Sequence, residues 1–578
     1  MIDSIPQKNI SPRLVRIEGW VPGLRTLRTY KKAWLPRDLV AGAVLCALLV
    51  PQGMAYAELA GLPAITGLYT TVACLVAYAI FGPSPYLILG PDSSLGPMIA
   101  AAILPLAAGN TEYAVALAGM LALIVAVICI GAGLARLGFV ADLISKPVRV
   151  GYLAGLAVTI FVGQLPKLFG YSVDANGLIQ EFVTFLKNLD QTNPWTLAVG
   201  LLCLLLILGL KRWAPRIPGV LVAVVLSIAV VQLFDLAAKG VATVGVLPQG
   251  FPKPSLPGAG LSALPLLIGT AFGIALVAVG DTISTSTGFA ARRGYEVDGD
   301  QEMFGIGAAN LLAGLFQGFP VSTSGSRTAV AEQSGAKTQL TGIVAALLVL
   351  AMLLFVPGLV QNMPQSALAA IIIAASLSLF DVAELRHFWA VRKSEFTLAI
   401  ISLLGVALVG VLQGIVIAVV LSIFQLFQKA WRPYMAVLAK PEGIPGYHDI
   451  NHFVNSSQLP GLLMIRWEAP LIFANSTLFR KKLRILVAQN EPKPVWIIIA
   501  ADAINEIDTT AGDMLVDLDQ ELNAAGIHLV FAELKTHVVE KVERYGLLET
   551  IDRRHFYPTI EVAVEEFQRE VQISTQHK

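Results

Sequence analysis

The chain has 578 residues, of which 55% are hydrophobic and only 14% charged, and its formal net charge is +1. Soluble domains carry about 25% charged residues, so the composition excludes an ordinary soluble protein over most of the length and gives no sign of a nucleic-acid partner. The cysteines lie in apolar runs without a CxxC pair, which argues against zinc sites and structural disulfides. They are Cys46, Cys74, Cys129 and Cys203.

A basic segment, residues 1–38, precedes the first apolar run. It includes Arg13, Arg16, Arg25 and Arg28, and the apolar run that follows starts too late for a cleavable leader. Cations beside a membrane span favour its cytoplasmic side. We therefore expect this segment to stay in the cytoplasm.

Residues 39–430 consist of apolar runs of roughly 20 residues, the length that crosses a bilayer as a helix, with shorter runs where glycine or proline interrupts. The sequence predicts about fourteen spans and therefore a polytopic α-helical membrane protein. The spans are 39–58, 63–82, 93–107, 112–134, 149–168, 195–210 and 217–236 in a first repeat (39–236), and 264–282, 303–317, 322–334, 338–356, 365–380, 394–411 and 413–430 in a second (264–430).

The distribution of lysine and arginine predicts the orientation in the membrane. With residue 1 in the cytoplasm, the loops rich in these residues fall inside, whereas the outer loops hold only scattered lysines. The inside loops contain Arg136, Lys146, Arg149, Lys211, Arg212, Arg216, Arg292, Arg293, Lys337, Arg386, Arg392 and Lys393. Because the number of spans is even, we expect a multi-pass protein of the cell (inner) membrane with both termini cytoplasmic.

Seven spans in each repeat is an odd number, so the second repeat would be inverted relative to the first. The spacing agrees with a repeat. Gln52 in the first span lies 39 residues before Pro91, and Asp281 in the eighth span lies 39 residues before Pro320. Inverted repeats are typical of secondary transporters, whose sites form where broken helices meet.

The composition becomes that of a soluble domain after a predicted linker, residues 431–445. In residues 446–578 the runs LLMIRW, VWIIIAA and IHLVF are typical of buried strands. Amphipathic helical stretches alternate with them, at about 475–489, 510–525, 535–545 and 558–571. We therefore predict a small cytoplasmic α/β domain.

Two apolar segments break at a proline, Gly90-Pro91 and Phe319-Pro320, and hydroxyl residues follow both breaks. Helices that start there would present free N–H groups and partial positive charge. In an inverted repeat these ends would face each other near the middle of the membrane and bind an anion. The candidate residues are Ser93, Ser94, Ser322, Thr323 and Ser324; the alternative is a pair of simple kinks with helix-capping serines.

Three charged residues lie near these breaks. Arg327, about one turn into the tenth span, would add positive potential, or else reach the cytoplasmic end of its helix. Asp92 would cap the third span and Asp281 ends the core of the eighth, where a carboxylate repels an anion. A proton or a bound Na+ would remove that repulsion, so both acids are candidates for cation coupling. All seven histidines lie outside the predicted spans, which leaves a carboxyl group as the proton carrier.

Three motifs resemble signatures of the sulfate permease (SulP) family of anion transporters. They are VPQGMAYAELAGLPAITGLYT at Val50–Thr70, LGPDSSLG at Leu89–Gly96 and GFPVSTSGSRTAVA at Gly318–Ala331. The C-terminal region resembles the cytoplasmic STAS domain of that family. The resemblance implies a seven-plus-seven inverted repeat divided into core and gate domains, elevator-like movement and a homodimer.

The resemblance also implies roles for individual residues. The family's anion site corresponds to the starts of the third and tenth spans, with Gln52 and Asp281 lining the same cavity. In sodium-coupled bicarbonate members the acid of the eighth helix helps to bind Na+, which makes Asp281 the coupling candidate here. The chain departs from the family's pattern at Asp92, Thr323 and Gly325, so the resemblance does not name the substrate.

Within the STAS-like region, IDTTAG at Ile507–Gly512 matches the loop that carries a phosphorylatable serine in anti-sigma-factor antagonists. Thr509 or Thr510 occupies that position, where phosphate at a helix N-terminus is favourable. The alternative is a plain helix cap made by Asp508 and Thr509. The implied partner of this region is a cytoplasmic regulator.

We therefore predict a secondary transporter of small anions (sulfate, bicarbonate or a C4-dicarboxylate), with H+ symport favoured by the acidic site. The alternatives are a Na+-coupled bicarbonate symporter, an anion channel or exchanger, and a membrane-anchored STAS signalling protein. An enzyme is not expected, since the sequence holds no nucleophile–base set, P-loop or convincing metal-ligand spacing. No cofactor is predicted.

Overall fold

The computed structural model describes residues 20–138, 145–173, 177–214, 217–453 and 455–576. Arg13, Arg16 and Arg216, which the sequence analysis places on the cytoplasmic side, lie outside the described residues. The chain divides into two compact units, the first ending at Ser422 and the second beginning at Ile423.

The first unit is built of helices with one two-stranded ladder. Its first half contains α1 Pro22–Thr29, α2 Leu35–Leu59, α3 Ala64–Phe81, β1 Leu89–Gly90, α4 Gly96–Ala107, α5 Thr111–Leu134, α6 Lys146–Phe169, α7 Leu178–Lys187, α8 Pro194–Trp213 and α9 Gly219–Leu233. Its second half contains α10 Leu264–Arg293, α11 Gly299–Leu315, β2 Ser322–Thr323, α12 Gly325–Gln333, α13 Leu340–Phe355, α14 Gln365–Leu379, α15 Val382–Val391, α16 Lys393–Leu404 and α17 Val411–Trp431.

Among the described residues, seven helices are long and apolar enough to cross a membrane, and four shorter helices are also apolar. The seven are Lys32–Leu59, Ala64–Phe81, Thr111–Leu134, Lys146–Phe169, Pro194–Trp213, Leu264–Arg293 and Gln365–Val391. The prediction of a polytopic helical membrane protein is thereby confirmed. Each predicted span coincides with a helix, while the number that cross the bilayer and the inverted repeat stay predictions.

The largest difference from the predicted spans is at α10, which continues to Arg293 instead of ending at residue 282. The added part is rich in serine and threonine, polar residues that hydropathy alone would assign to a loop. Their hydroxyl groups can instead bond back to the helix. Ser286 does so, donating to the Ile283 carbonyl at 3.0 Å, so the helix persists through its polar half.

The helices of the first unit form two bundles. The first bundle consists of α2, α3, α5, α11 and α13 together with α4, α10 and α12, and the second of α6, α8, α9, α14 and α16. The bundles touch where α14 and α9 lie against α2. Within a bundle, small residues allow helices to pack closely in membranes. At Gly67 on α3, for example, a Cβ would overlap the carbonyl of Gly53 on α2.

A buried carboxylate fixes the start of α2 within the first bundle. Asp38 is fully buried and accepts hydrogen bonds from the Tyr30 hydroxyl at 3.1 Å, the Lys337 N–H at 2.6 Å and the hydroxyls of Thr338 and Thr341 at 2.9 and 3.1 Å. These donors replace the water that an ionised carboxylate loses on burial. Asp38 is therefore a structural node that joins α2 to the segment before α13.

The second unit contains an α/β domain, which confirms that prediction. Its sheet has the strand order β4-β3-β6-β7-β8-β9, with β5 paired to β3. The strands are β3 Met435–Pro441, β4 His448–Asp449, β5 Ser456–Ser457, β6 Leu462–Trp467, β7 Trp496–Ala500, β8 His528–Ala532 and β9 Phe556–Tyr557. The helices are α18 Ser476–Gln489, α19 Thr509–Ala524, α20 Thr536–Arg544 and α21 Ile560–Gln576.

Helices bury both faces of the sheet, which explains why its central strands are continuous apolar runs in the sequence. Leu463 and Ile465 of β6 face a cluster that includes residues of α18, α19 and α20. Leu462 and Met464 face a separate cluster with α21. Strands β6 to β9 are parallel, as expected when helices cover both faces.

The predicted linker, residues 431–445, is wrong over about half of its length. Met435–Pro441 forms β3, which pairs antiparallel with β6. Ala436, Leu438 and Ala439 are buried in this strand, and their burial against the sheet outweighs the short, proline-flanked appearance of the segment. The folded domain therefore begins about ten residues before its predicted start at residue 446.

Candidate functional site

The two proline breaks lie side by side in the first bundle. β1 and β2 pair antiparallel, with Leu89 opposite Thr323 and Gly90 opposite Ser322. The amide side chain of Asn310 on α11 accepts a hydrogen bond from the Val321 N–H at 3.0 Å and so fixes the start of β2. Extended backbone is tolerated at membrane depth only where protein or a cavity covers it, and this ladder is buried.

The helices after the breaks begin later than predicted, at Gly96 and Gly325 instead of Ser93 and Ser322. Before α12 the ladder holds Ser322 and Thr323 in extended backbone, whereas before α4 residues 93–95 form a turn. Asp92 does not cap α4: its carboxylate accepts the Ser94 N–H at 2.9 Å and the Ser94 hydroxyl at 2.7 Å. Because Pro97 lacks an N–H and the Gly96 N–H bonds to the Asp92 carbonyl, α4 offers fewer free donors than predicted.

A cavity of about 570 Å³ opens beside the ladder, within the usual size of small-molecule sites. It brings together seven of the residues selected from the sequence: Gln52, Asp92, Ser93, Ser94, Asp281, Thr323 and Ser324. Two others do not line it. Ser322 is fully buried within the ladder, and Arg327 is buried behind Asp92 with 1% of its surface exposed.

The two walls of this cavity differ in polarity. The hydroxyl, amide and carboxylate groups all come from the first bundle except for Ser378. The second bundle contributes a mostly apolar wall with one charged side chain, Lys211. The apolar wall consists of Leu153, Ile207, Ile217, Val220, Ile371 and Leu379 with small neighbouring residues. A polar ligand would therefore make nearly all of its hydrogen bonds to one bundle.

Arg327 supplies positive charge directly behind the cavity. Its Nη2 lies 3.3 Å from Asp92 Oδ2, while its Nε and Nη1 have no hydrogen-bond partner among the described residues. A guanidinium with open donors in a water-poor setting is a strong attractor for an anion. The alternative of an arginine reaching towards the cytoplasmic end of its helix does not fit this burial.

Asp281 lies next to Asp92 through a shared hydroxyl group. The Ser94 Oγ is 2.7 Å from Asp92 Oδ1 and 3.4 Å from Asp281 Oδ2, and it has a single proton to donate. Two ionised carboxylates in one site repel each other, and a proton or a cation relieves that repulsion. On the same helix, the Thr282 hydroxyl meets the Thr323 hydroxyl at 2.9 Å and ties α10 to β2.

Five further polar residues line the cavity but were not selected from the sequence, among them Ser378 on α14. Tyr56 lies four residues after Gln52 and Thr285 four residues after Asp281, so helical periodicity alone could have found both. Ser326 follows the predicted serines directly. Lys211 carries no such signal, because α8 meets the site only through packing of the two bundles.

Gly90→Ala should reduce anion uptake at least about tenfold, because an added methyl group at this position would overlap Arg327 Nη1 and force the guanidinium away from Asp92. Initial uptake rates in proteoliposomes measure this effect. Gly131→Ala is the matched control, since a Cβ there would meet no atom within 4 Å. Equal uptake by both variants would show that Arg327 need not hold its observed position.

In the C-terminal domain, the two candidate phosphorylation sites lie where the sequence placed them. Thr509 and Thr510 are exposed at the first turn of α19. Asp508 caps the helix by accepting the Ala511 N–H at 2.9 Å, and its other oxygen accepts the Phe473 N–H at 2.7 Å. Thr509 is therefore not the cap, and both hydroxyl groups are accessible.

Both units of the chain match known protein families. Residues 35–402 match the sulfate permease family, and residues 454–563 match the STAS domain. A "Probable sulfate transporter" of Mycobacterium tuberculosis is 40% identical over 551 residues, which are 95% of this chain and 98% of the relative. A chloroplastic "Sulfate transporter 4.1" of Arabidopsis thaliana is 30% identical, covering 95% of this chain and 83% of the relative. Prestin of Rattus norvegicus is 31% identical, covering 82% and 68%.

Solved structures show the same fold at lower identity. Murine Solute Carrier 26 family member A9, an anion transporter in the inward-facing state, superposes with a TM-score of 0.89 at 23% identity, covering 98% of this chain and 96% of that one. The transmembrane domain of a cyanobacterial bicarbonate transporter superposes with a TM-score of 0.59 at 23% identity, covering 68% of this chain and 97% of that one.

Proposed function

The chain belongs to the sulfate permease family of multi-pass anion transporters, not to a family of enzymes, and we propose that it moves sulfate by proton-coupled symport. The bacterial and plant relatives described above are named as sulfate transporters. Bicarbonate and C4-dicarboxylates are the competing substrates. Both termini are proposed to be cytoplasmic, and the active form is proposed to be a homodimer.

The polarity difference between the two cavity walls carries this proposal. An anion bound to Ser93, Ser94 and Thr323, with the charge of Arg327 behind them, would be held by the first bundle and would face an apolar surface of the second. Sliding past an apolar wall breaks no hydrogen bonds, so the first bundle can carry the anion as a rigid body. This arrangement favours elevator-like movement, with the first bundle as the core domain and the second as the gate domain.

The state of the structure is proposed to be inward-facing. The cavity reaches Lys211, Ile217 and Pro218 at the α8–α9 connection, and the positive-inside rule assigns that connection to the cytoplasm. Lys211 would then meet anions at the cytoplasmic mouth.

Coupling is proposed to reside in Asp281 and Asp92. The site places the Arg327 guanidinium beside Asp92, and Asp92 and Asp281 share the Ser94 hydroxyl. An anion adds further negative charge, so its binding is favoured when one carboxylate is protonated. Proton and anion would then bind together and leave together. Na+ at Asp281 would serve the same purpose and is the competing coupling ion.

Uptake into proteoliposomes tests the proposed function. Labelled sulfate, bicarbonate and fumarate would each be offered with an inward proton gradient, an inward sodium gradient or neither. We expect saturable sulfate accumulation under the proton gradient alone. Sodium-driven accumulation of bicarbonate would replace the proposal with the sodium symporter. Flux that does not saturate and shows unitary currents would indicate a channel, and the absence of flux for every anion would favour a signalling protein.

A further inference from the structure

A short helix before the first long span carries an exposed apolar face. Trp20 lies two residues before the start of α1, and Leu24 and Leu27, three residues apart, share one side of that helix. Their exposed fractions are 46%, 41% and 74%. The exposed apolar surface continues into α2, where Leu39 and Val40 are 46% and 59% exposed. α1 is therefore continuous with the surface of the first bundle that faces lipid.

The polar flank of α1 and the turn after it are strongly basic. Arg25, Arg28, Lys31 and Lys32 are all exposed. Residues 20–38 contain a single acidic residue, Asp38. Its carboxylate is fully buried and accepts the hydrogen bonds described above. For Arg25, Lys31 and Lys32, the segment from Trp20 to Asp38 thus provides no exposed carboxylate.

Aromatic side chains mark the level at which this segment meets the membrane. The Lys31 ammonium lies 5.6 Å from the centre of the Trp34 ring, and Trp34 meets Tyr30 edge-to-face at 5.9 Å. Tryptophan and tyrosine are enriched at the boundary between lipid tails and headgroups. A helix with an apolar face, flanking cations and interfacial aromatics lies in the plane of that boundary.

α1 is held against the first bundle. A Cβ at Gly23 would lie 2.6 Å from the Ala79 carbonyl oxygen at the end of α3. The ring of Trp20 packs edge-to-face on Phe304 of α11 with centres 5.4 Å apart. The helix therefore belongs to the bundle that is proposed to move during transport.

We propose that α1 and the following turn form a binding surface for anionic phospholipid headgroups, with Leu24 and Leu27 inserted among the acyl chains. Charge complementarity selects this occupant. A second copy of the chain would present the same cations and be repelled, whereas an anionic headgroup is attracted by each lysine or arginine near the surface by about fivefold in affinity. The inference depends on membrane insertion and not on the transported anion.

Native mass spectrometry of the full chain tests the headgroup preference. The protein would be released from bilayer discs that contain equal amounts of phosphatidylglycerol and phosphatidylcholine. We expect retained phosphatidylglycerol to exceed phosphatidylcholine about tenfold. The triple variant Arg25→Gln, Lys31→Gln, Lys32→Gln should bring that ratio below about twofold. Equal retention by the unchanged protein, or an unchanged ratio in the variant, overturns the proposal.

A control variant removes the same charge elsewhere. Lys440→Gln, Lys481→Gln and Lys493→Gln are exposed positions of the C-terminal domain and should leave the lipid ratio unchanged. Insertion of the apolar face has a separate readout: quenching of Trp20 fluorescence by brominated acyl chains, obtained as the difference between the unchanged protein and Trp20→Phe. No quenching, together with a smaller oligomer for Leu27→Ser, would indicate that a second copy occupies this surface and would overturn the proposal.

Discussion

Asp281→Asn is expected to abolish proton-driven anion accumulation while leaving the anion site able to bind. One pH unit across the membrane corresponds to about a tenfold concentration ratio for one proton per anion. An inward gradient of about two units therefore supports up to about hundredfold accumulation in the unchanged protein. Asparagine keeps a hydrogen-bonding group beside Ser94 but cannot bind and release a proton. Accumulation should therefore fall to the level without a gradient.

Counterflow separates coupling from binding in this variant. With unlabelled sulfate inside, no gradient and the membrane potential clamped, Asp281→Asn should exchange labelled sulfate within about threefold of the unchanged rate, because the repulsive charge is gone. Asp190→Asn, an exposed acid between α7 and α8, is the matched control and should accumulate sulfate normally. Proton-driven accumulation that survives in Asp281→Asn would assign coupling to another group.

Arg327→Gln is expected to lower uptake by at least about thirtyfold. Truncating one member of a buried, hydrogen-bonded charge pair costs about 2–5 kcal/mol, and here the guanidinium lies 3.3 Å from Asp92, which lines the cavity in which an anion would bind. The variant should also lose stability, because Asp92 is left as a carboxylate with only 13% of its side chain exposed and no cationic partner. Thermal unfolding of the purified full chain measures that loss.

The double variant Arg327→Gln, Asp92→Asn distinguishes an anion-binding role from a purely structural one. Removing both charges leaves no uncompensated ion, so much of the lost stability should return. Uptake should stay low, because the positive charge that attracts the anion is still missing. If uptake recovered together with stability, Arg327 would serve only to neutralise Asp92, and anion binding would rest on the hydroxyl groups and helix ends.

The two acids of the site have different partners, which is why their substitution should give different results. Asp92 is engaged by Ser94 and Arg327. Among the described residues, the only hydrogen bond to the Asp281 carboxylate is the long contact from the Ser94 hydroxyl. A proton arriving in the site therefore displaces fewer interactions at Asp281 than at Asp92, which supports the former as the coupling residue.

The sequence by itself determined the class of fold. Long apolar runs can hide their backbone polar groups in lipid only as helices, so the positions of the helical segments followed from hydropathy alone. The central strands β6, β7 and β8 of the C-terminal domain were equally predictable, because a sheet that is covered on both faces needs uninterrupted apolar runs such as WIIIA. Both predictions depend on local composition, which a single sequence contains in full.

Local composition also located the two breaks but not the structure that they form. Proline and glycine marked Gly90-Pro91 and Phe319-Pro320, yet the β1–β2 ladder between them joins residues more than 230 positions apart. That pairing holds Ser322 and Thr323 in extended backbone before α12. After β1, a turn at residues 93–95 makes Asp92 the acceptor of Ser94 instead of the predicted cap. The strand Met435–Pro441 was missed for the same reason, since its burial depends on a partner strand.

Only the tertiary structure decided which side chains share the cavity. It turned Arg327 inward behind Asp92, buried Ser322 within the ladder, and brought Lys211 from a distant helix to the edge of the cavity. None of these positions is encoded in the local pattern around the residue, because each results from the packing of one bundle against another or of a helix within its bundle. The sequence therefore named most of the groups that the site uses, and the packing of the bundles decided which of them face the anion and which only support it.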